Sequence, residues 1–547
     1  MRGGSFSAAI CGTLVVSAAA IAQPAVQPRM GQPLAGLTPA QLDRFQQGGT
    51  AFGRIFSAAE GLGPIFNQQA CASCHNNPVG GSGSISVTRF GYFDEKAGGF
   101  DPMDYLGGSL LQSQAISTEC AETVPPWANV VTTRITTSTL GAGLIEAIPD
   151  AAILANESPG PGVSGRAHMT AAFEDPPNSP LRVGRFGWKA QVATVLTFSA
   201  DAALNEMGIT NRFLTAENDP NGFDPPSLAE CDSVPDPEDG PDAEGFHFID
   251  RVTDFQRFLA APPQTPRFGM TGETLFNTIG CNACHVASYT TADDPALEDA
   301  IRNKVIRPYS DFLLHDMGLL GDGIAQGDAD VREIRTPPLW GVRARDPLLH
   351  DGRVAGNTFA ARMNAAIAAH NVFGSEAAPA AQAYSALLPA EKNLVISFLD
   401  SLGRAEFDMN GDGFHDAADY VLFASCFSTG GPYTPDDPCA IGDLDQDGDV
   451  DAVDAAAFAT VLPGGSNDCN GNGTADLLDV VNQTSRDCNA NAVPDECDPE
   501  SSDVGLFVAV VLGQNTNPVH RCMMDFNGDG LNDGDDIAPF VAQLMGP

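Results

Sequence analysis

The stretch NQQACASCHNNPVG, residues 67–80, places two cysteines and a histidine within five positions. The same pattern returns as CNACH at residues 281–285. A chain with 13 cysteines and 9 histidines should contain only about 0.005 such strings by chance, so two copies are not accidental. This spacing is the signature of covalent haem attachment. The two copies predict two c-type haems.

Haem chemistry explains the spacing. Two thiols one helical turn apart can each add to a vinyl group of the same porphyrin, and the next histidine then lies under the iron. A zinc site would need both pairs to pool their ligands and leaves the repeated histidine unexplained. A thioredoxin-like pair does not require that histidine. The expected attachment and proximal-ligand residues are Cys71, Cys74 and His75, and Cys281, Cys284 and His285.

The charge of the chain limits its partners. The 547 residues include 70 acidic and 28 basic ones, which gives a formal charge of -42. Nucleic acid is excluded as a natural partner, because its binding relies on Lys and Arg replacing counterions along the phosphate backbone. Metal cations and basic proteins fit this surface better.

Residues 1–22 have the pattern of a signal peptide. Arg2 precedes an apolar run that ends in Ala20-Ile21-Ala22, a small-residue cleavage pattern. A membrane helix is the alternative, but the run is shorter than the roughly 20 residues that a span needs. We therefore expect an exported protein, periplasmic or at the cell surface, that does not span the membrane. Disulfides persist in such compartments, and we expect one between Cys120 and Cys231 rather than two buried thiols.

Three stretches have helical periodicity. The first, residues 37–56, contains Thr38 as its expected N-cap. The second, residues 187–208, ends at Gly208, and the third, residues 388–403, ends at Gly403. An acidic, turn-rich segment at residues 215–245 indicates a connection between two lobes.

Five ordered motifs carry a family resemblance: GLGPIFNQQACASCH, GRFGWKAQVATVLTFSADAALNEMGIT, YSDFLLHDMG, IRTPPLWG and LLHDGR. Over about residues 35–403 the chain resembles the bacterial di-haem oxidoreductases, a family of peroxidases and thiol oxidoreductases related to the diheme cytochrome c peroxidases. The resemblance implies two mostly helical cytochrome c-like lobes. One haem would transfer electrons, and the other would meet peroxide or another small oxidant.

The resemblance also implies two catalytic residues. In the peroxidases a tryptophan lies between the haems and a glutamate lies above the catalytic iron. Trp188 and Glu206 stand at a similar separation. A partly buried carboxyl group could move a proton between peroxide oxygens if its pKa is raised. The alternatives are a core tryptophan and a solvated glutamate.

The sixth ligand of the second haem has two candidates. The di-haem oxidoreductases tend to have a histidine in this region and the peroxidases a methionine, so we favour His370 over Met363. His315 and His350 resemble residues that flank haem propionates, and Arg335 and Arg343 could offset propionate charge. His168 could cap the first haem.

From residue 408 an acidic repeat begins that has the ligand spacing of calcium loops. DMNGDGFHDAAD and three further clear copies place oxygen ligands at positions 1, 3, 5, 9 and 12, with glycine at position 6. Those ligands are Asp408, Asn410, Asp412, Asp416 and Asp419; Asp443, Asp445, Asp447, Asp451 and Asp454; Asp468, Asn470, Asn472, Asp476 and Asp479; and Asp525, Asn527, Asp529, Asp533 and Asp536.

A fifth copy, DCNANAVPDECD, has Ala492 in place of the glycine, which makes its turn geometry doubtful. Aspartate at position 12 resembles dockerin-type loops more than EF-hand sensors, and dockerins pair with cohesin partners. A disordered acidic tail is the alternative, but the apolar stretch after each loop is typical of short packed helices. We expect the six cysteines of this region to form disulfides, in a pairing that the sequence leaves open.

The sequence thus predicts a mainly α chain. Its expected parts are a signal peptide (1–22), two cytochrome c-like haem lobes (23–225 and 226–403) and a small α-helical dockerin/EF-hand-like calcium-loop array (404–547). We expect an exported di-haem peroxidase-like oxidoreductase with two covalent haems, bound calcium, an electron donor such as a small cytochrome or cupredoxin, and a cohesin-like or cell-surface partner. The rival hypotheses are a non-catalytic electron carrier and a calcium-dependent scaffold or adhesion protein.

Overall fold

The computed structural model describes residues 24–96, 98–158, 160, 162–222, 230–232, 234–429 and 431–545. The expected signal peptide lies outside these residues. Helices predominate over strands, and no helix in the described part of the chain is long and apolar enough to cross a bilayer.

The haem region contains ten helices within its described residues: α1 Pro39–Phe52, α2 Cys71–Cys74, α3 Ala142–Glu146, α4 Asp150–Leu154, α5 Val195–Met207, α6 Phe248–Phe258, α7 Thr271–Thr278, α8 Phe359–Ala369, α9 Ala378–Ala386 and α10 Pro389–Ser401. The carboxyl-terminal region adds α11 Ala417–Thr429, α12 Ala452–Val461, α13 Asp476–Val481, α14 Val504–Val511, α15 Pro518–Met523 and α16 Ile537–Met545.

The expected helix ends are mostly confirmed. Thr38 caps α1, since its hydroxyl accepts a hydrogen bond from the Gln41 N–H at 3.3 Å. Gly208 ends α5 in the left-handed region, at φ 65°. The beginning of α5 was predicted too early: the helix starts at Val195 after the Thr194 N-cap. The preceding residues form a turn between Phe186 and Val192, with Ala190 at φ 51°.

A four-stranded antiparallel sheet occupies part of the Gly- and Pro-rich section after the first CxxCH, where the sequence interpretation placed no elements. Strand β2 (Ser86–Asp94) pairs with β3 (Gly99–Asp101), β4 (Leu110–Leu111) and β6 (Val130–Ile135). The β-branched and aromatic residues of SVTRFGYFD favour a strand. The short strands elsewhere are β1 Ile65–Phe66, β5 Gln114–Ala115, β7 Met169–Thr170, β8 Arg182–Val183, β9 Tyr289–Thr290, β10 Val305–Ile306, β11 Leu314–Asp316 and β12 Glu333–Arg335.

One apolar core joins residues from both expected haem lobes. Phe45 and Phe52 of α1 pack with Phe255 of α6, and the same cluster extends to Phe312 and Trp340. Helix α6 follows the lobe connection in sequence but packs against α1. The two CxxCH segments are therefore supported by a shared core.

Disulfides link the remaining cysteines. Cys120 and Cys231 are paired, as expected. The carboxyl-terminal pairs are Cys426–Cys439, Cys469–Cys497 and Cys488–Cys522. Among the described residues, the cysteines outside disulfides are the four of the CxxCH motifs.

Helix α1 crosses α6 at a glycine. A Cβ atom on Gly48 would lie 2.4 Å from the Arg251 carbonyl oxygen, whereas one on Gly49 would meet only the Phe255 ring at 3.4 Å. We predict that Gly48→Ala lowers the free energy of unfolding by about 1–3 kcal/mol through overpacking. Gly49→Ala should be neutral or stabilising by about 0.5–1 kcal/mol, because alanine favours helix. Thermal denaturation of both variants tests this, and equal effects would contradict it.

Candidate functional site

The first CxxCH forms a short helix against the end of α5. The Cys71 Sγ lies 4.0 Å from the Met207 Sδ, and the His75 ring meets the Phe52 ring at 5.8 Å. Burial raises the pKa of Cys71 to about 12 and that of Cys74 to about 11. These are not the low-pKa thiols of a redox pair. Burial lowers the pKa of His75 to about 4, so the imidazole is neutral and able to bind a metal.

Glu206 lies beside this motif. The Asn67 side-chain amide donates to its Oε2 at 2.8 Å, and the backbone N–H groups of Asn67 and Gln68 donate to its carbonyl oxygen at 2.8 and 3.1 Å. The end of α5 is therefore fixed to the residues just before Cys71. Burial raises the pKa of Glu206, and the nearby charge of Arg89 opposes part of this effect.

Arg89 is a residue of this site that sequence reasoning missed. Its Nε atom is buried without a hydrogen-bond partner, and one guanidinium N–H donates to the Ser109 hydroxyl at 3.3 Å. Burial lowers its pKa to about 10, and no carboxylate in the described residues forms an ion pair with it. The charges of Glu206 and Asp201 act on this guanidinium group without a direct ion pair. Its unpartnered Nε–H can donate to an anionic group, and a haem propionate fits here. Nothing in the strand sequence distinguishes this arginine.

A backbone carbonyl group orients the histidine of the second CxxCH. The His285 Nδ1–H donates to the Tyr309 carbonyl oxygen at 2.9 Å, which leaves Nε2 free for a metal. Burial lowers the pKa of His285 to about 4. This hydrogen bond is the usual way in which a protein fixes the tautomer and ring plane of a metal-binding histidine.

A cavity of about 490 Å³ opens beside this motif. Its volume lies in the range of cofactor sites, and most of its lining is apolar. The lining includes Cys281, Cys284, His285, Trp188, His315, His350, Met363 and His370. The structure thus brings together most of the residues assigned to the second haem, and a porphyrin fits this arrangement.

Both candidates for the sixth ligand line the cavity. His370 ends α8, and its Nδ1–H donates to the Ala366 carbonyl oxygen at 2.7 Å, so its Nε2 is available. Burial lowers its pKa, which favours the neutral imidazole. Met363 is buried within the apolar core around α10.

Trp188 lines the cavity beside the second CxxCH. Its indole N–H donates to the Ile135 carbonyl oxygen at 2.8 Å, and its ring meets His350 edge-on at 6.1 Å. Thr136, the next residue after Ile135, interacts with the Cys74 thiol and also lines the second cavity. The sequence indicated Trp188, whereas Thr136 carries no recognisable motif.

The two propionate-flanking candidates differ in their partners. His315 is held by Asp311 at 2.8 Å and Glu376 at 3.0 Å, through its two ring nitrogens. Burial opposes protonation, but the bond to Asp311, the contact with the Cys284 Sγ and the bond to Glu376 raise the pKa of His315 to about 12, which favours the cationic ring. The Nε2 atom of His350 is buried without a partner, and burial lowers the pKa of this histidine to about 4.

The structure corrects the sequence interpretation of Arg343 and His168. Arg335 lines the cavity, but Arg343 bonds to Asp400 and to the Gly411 carbonyl oxygen, outside the cavity lining. Arg345 lines the cavity instead. His168 bonds to backbone atoms of Lys189 and Asp328, at 2.8 and 3.3 Å, and contacts no residue of the first CxxCH in these bonds.

All five acidic repeats adopt the same loop. In each, the N–H of position 6 donates to the carboxylate of position 1, at 2.9–3.2 Å. Ala492 takes the left-handed conformation that glycine has in the other loops, at φ 67°. The fifth loop therefore keeps its turn despite the alanine.

Several carboxylate oxygens of these loops are placed where they could bind a cation. The Oδ1 atoms of Asp408 and Asp443 are buried without hydrogen-bond partners. Oxygens of Asp443, Asp445 and Asp454 lie within 4.8 Å of one another, and burial raises the pKa of Asp454 to about 7. Such donor sets suit a hard cation such as Ca²⁺.

Comparison with known proteins assigns residues 127–402, which contain the second CxxCH but not the first, to a known family. The profile of the family "Di-haem oxidoreductase, putative peroxidase" matches residues 127–402. Among solved structures, the chain is similar to a hydrazine synthase of Kuenenia stuttgartiensis (13% identity, TM-score 0.28, 74% of this chain and 100% of that chain). It is also similar to a MauG-like protein associated with microbial copper homeostasis (14%, 0.31, 69% and 93%). No curated protein matches. With half of its length matched, the chain belongs to the family of di-haem oxidoreductases.

Proposed function

We propose that this chain is an exported, peroxidase-like di-haem c-type oxidoreductase joined to a calcium-binding module. The observation that carries the proposal is the peptide at Ile135 and Thr136, which contacts Cys74 of the first CxxCH, lines the cavity beside the second and anchors Trp188. Cys71, Cys74 and His75 would hold one haem, and Cys281, Cys284 and His285 the other. Bound haem would supply electron transfer and the iron at which the oxidant is reduced.

In this proposal Glu206 moves protons at the first site. Reduction of a peroxide to water needs a proton on the leaving oxygen, and burial raises the pKa of the Glu206 carboxyl group, which makes it a better proton carrier than a solvated glutamate. The amide of Asn67 holds the carboxyl group in place. Trp188 lies on the path by which electrons would arrive from the second site.

Replacing Glu206 tests this assignment. We predict that Glu206→Gln keeps haem content while peroxide turnover falls by roughly 10²-fold or more, because the amide cannot transfer a proton. Glu95→Gln, at an exposed loop of the same region, is the matched control and should keep the wild-type rate. Steady-state peroxide reduction with a small-molecule donor measures both. An unchanged rate in the Glu206 variant would remove it from the mechanism.

We also propose that His370 is the sixth ligand of the second haem, supported by its available Nε2. Replacing His370 by alanine should convert that haem from low spin to high spin in the oxidised protein. Met363→Ala should keep the low-spin spectrum and only loosen the core. Electronic absorption and electron paramagnetic resonance spectra distinguish the two variants. A low-spin second haem in the His370 variant would refute the assignment.

For the carboxyl-terminal module we propose calcium binding and attachment to a cohesin-like or cell-surface partner. The buried, unpaired oxygens of Asp408 and Asp443 support calcium binding.

The five loops fall into two groups that differ in the residue at position 5. Three have aspartate at position 5, whereas Asn472 and Asn491 occupy this position in the other two and donate to the position-12 carboxylate. The three aspartate loops carry more negative charge, so they should bind Ca²⁺ more tightly.

Two adjacent aspartates of the last loop provide a matched test. Asp536 is buried at position 12, and Asp535 is exposed at position 11. We expect Asp536→Asn to weaken Ca²⁺ binding at one site by ~10-fold or more, because a ligand charge is lost. Asp535→Asn should leave it nearly unchanged. Isothermal titration of the full chain with Ca²⁺ measures the affinities. Equal affinities in the two variants would argue against this loop as a site.

A further inference from the structure

The loop array (residues 404–547) supplies the cap of the helix that precedes the second CxxCH. Helix α7 begins at Thr271, and its N-cap residue, Met270, has no side-chain oxygen to accept a hydrogen bond. The Thr271 N–H instead donates to the carboxylate of Asp436, at 3.0 Å from Oδ1 and 3.3 Å from Oδ2. A carboxylate at this position pairs a free N–H group and interacts favourably with the helix dipole.

The segment that carries Asp436 is attached on both sides. Within the array, the Cys426–Cys439 disulfide closes the part of the chain that contains Asp436. On the side of the haem region, Pro435 lies against Gly269, where an added Cβ atom would be only 3.0 Å from the Pro435 Cγ atom. The carboxylate is therefore presented to α7 from a defined position.

A second contact anchors the beginning of the array to the haem region. Glu406 is 2% exposed, and its carboxylate accepts hydrogen bonds from the Arg267 guanidinium group at 3.0 and 2.8 Å and from the Gln27 N–H at 3.1 Å. Arg343 of the haem region donates to the Gly411 carbonyl oxygen of the first loop. The array is thus packed on the haem region through several separate contacts.

Helix α7 in turn acts on the histidine of the second CxxCH. Glu273, in the first turn of α7, accepts a hydrogen bond from the Tyr309 hydroxyl group at 3.0 Å. The carbonyl oxygen of Tyr309 accepts the Nδ1–H of His285 at 2.9 Å. Further along α7, the Phe276 ring meets the His285 ring at 6.1 Å. The capped end of the helix is therefore connected to the groups that orient His285.

We propose that the loop array is a structural part of the second haem site, and that Asp436 is a positioning residue that acts on His285 through α7. This inference rests on the proposed function in that it needs a haem at the second CxxCH, but it does not need peroxide reduction. Sequence reasoning treated the array as a separate module, because a cap that lies 165 positions away from its helix leaves no local pattern.

Loss of the cap should weaken the hydrogen bond of His285. Without an acceptor for the Thr271 N–H, the first turn of α7 opens more often, and Glu273 then holds Tyr309 less well. A weaker bond to the Tyr309 carbonyl makes the imidazole a less basic ligand, which stabilises ferric iron less. The reduction potential of the second haem should therefore rise.

Replacing Asp436 in the full-length holoprotein tests this inference. We expect Asp436→Ala to speed amide hydrogen exchange in α7 by roughly threefold to thirtyfold, the range expected for a lost helix cap. The midpoint potential of the second haem should rise, while that of the first haem stays unchanged. Asp436→Asn keeps an acceptor oxygen and should retain the wild-type values in both measurements.

Asp503→Ala is the matched control. Asp503 caps α14 inside the array, where it accepts the Gly505 N–H at 2.7 Å, so its loss should leave α7 and both potentials unchanged. Equal exchange in α7 for the two alanine variants would overturn the inference, and so would an unchanged or lower potential of the second haem in the Asp436 variant. If the wild type reduced no peroxide, the proposed function would fail, but a raised potential in the Asp436 variant would still support this inference.

Discussion

The peptide linking Ile135 to Thr136 is the contact on which the arrangement of the two sites depends. Its Ile135 carbonyl accepts the Trp188 indole N–H, and the Ile135 N–H donates to the His350 carbonyl oxygen at 2.8 Å. Thr136 then reaches Cys74 of the first motif. This strand end is itself fixed by its pairing with β2, in register from Ser86↔Ile135. The sheet that the sequence did not indicate is thus the support of the inter-site contact.

Two parts of the chain have polar or charged groups that lack partners among its own side chains. Near the first CxxCH, the Nε–H of Arg89 is buried without a hydrogen-bond partner, and a buried donor of a charged group is costly to leave unpaired. The loop array has the opposite imbalance, with 27 acidic and 3 basic residues in 404–547. Dense carboxylates repel one another unless protons or cations intervene. Haem propionates and Ca²⁺ would correct both imbalances.

Sequence reasoning identified the residues whose role depends on ligands or caps at fixed, short distances along the chain. Two CxxCH strings and the five-fold repeat could be read directly, and Thr38 and Gly208 gave correct helix ends because capping is local. The cavity instead joins residues nearly 200 positions apart, such as Trp188 and His370. Thr136, Arg89 and Arg345 belong to no motif, and only the tertiary packing shows their positions. Arg343 was misassigned because its partners, Asp400 and Gly411, are distant in sequence.

Intact-mass spectrometry of the purified protein tests the central claim most directly. The chain should carry the added mass of two haems. Replacing Cys71 and Cys74 by serine should remove one of them, and replacing Cys281 and Cys284 should remove the other. A purified chain without any added haem, or one whose added mass survives both replacements, would contradict the assignment of these cysteines to covalent haem.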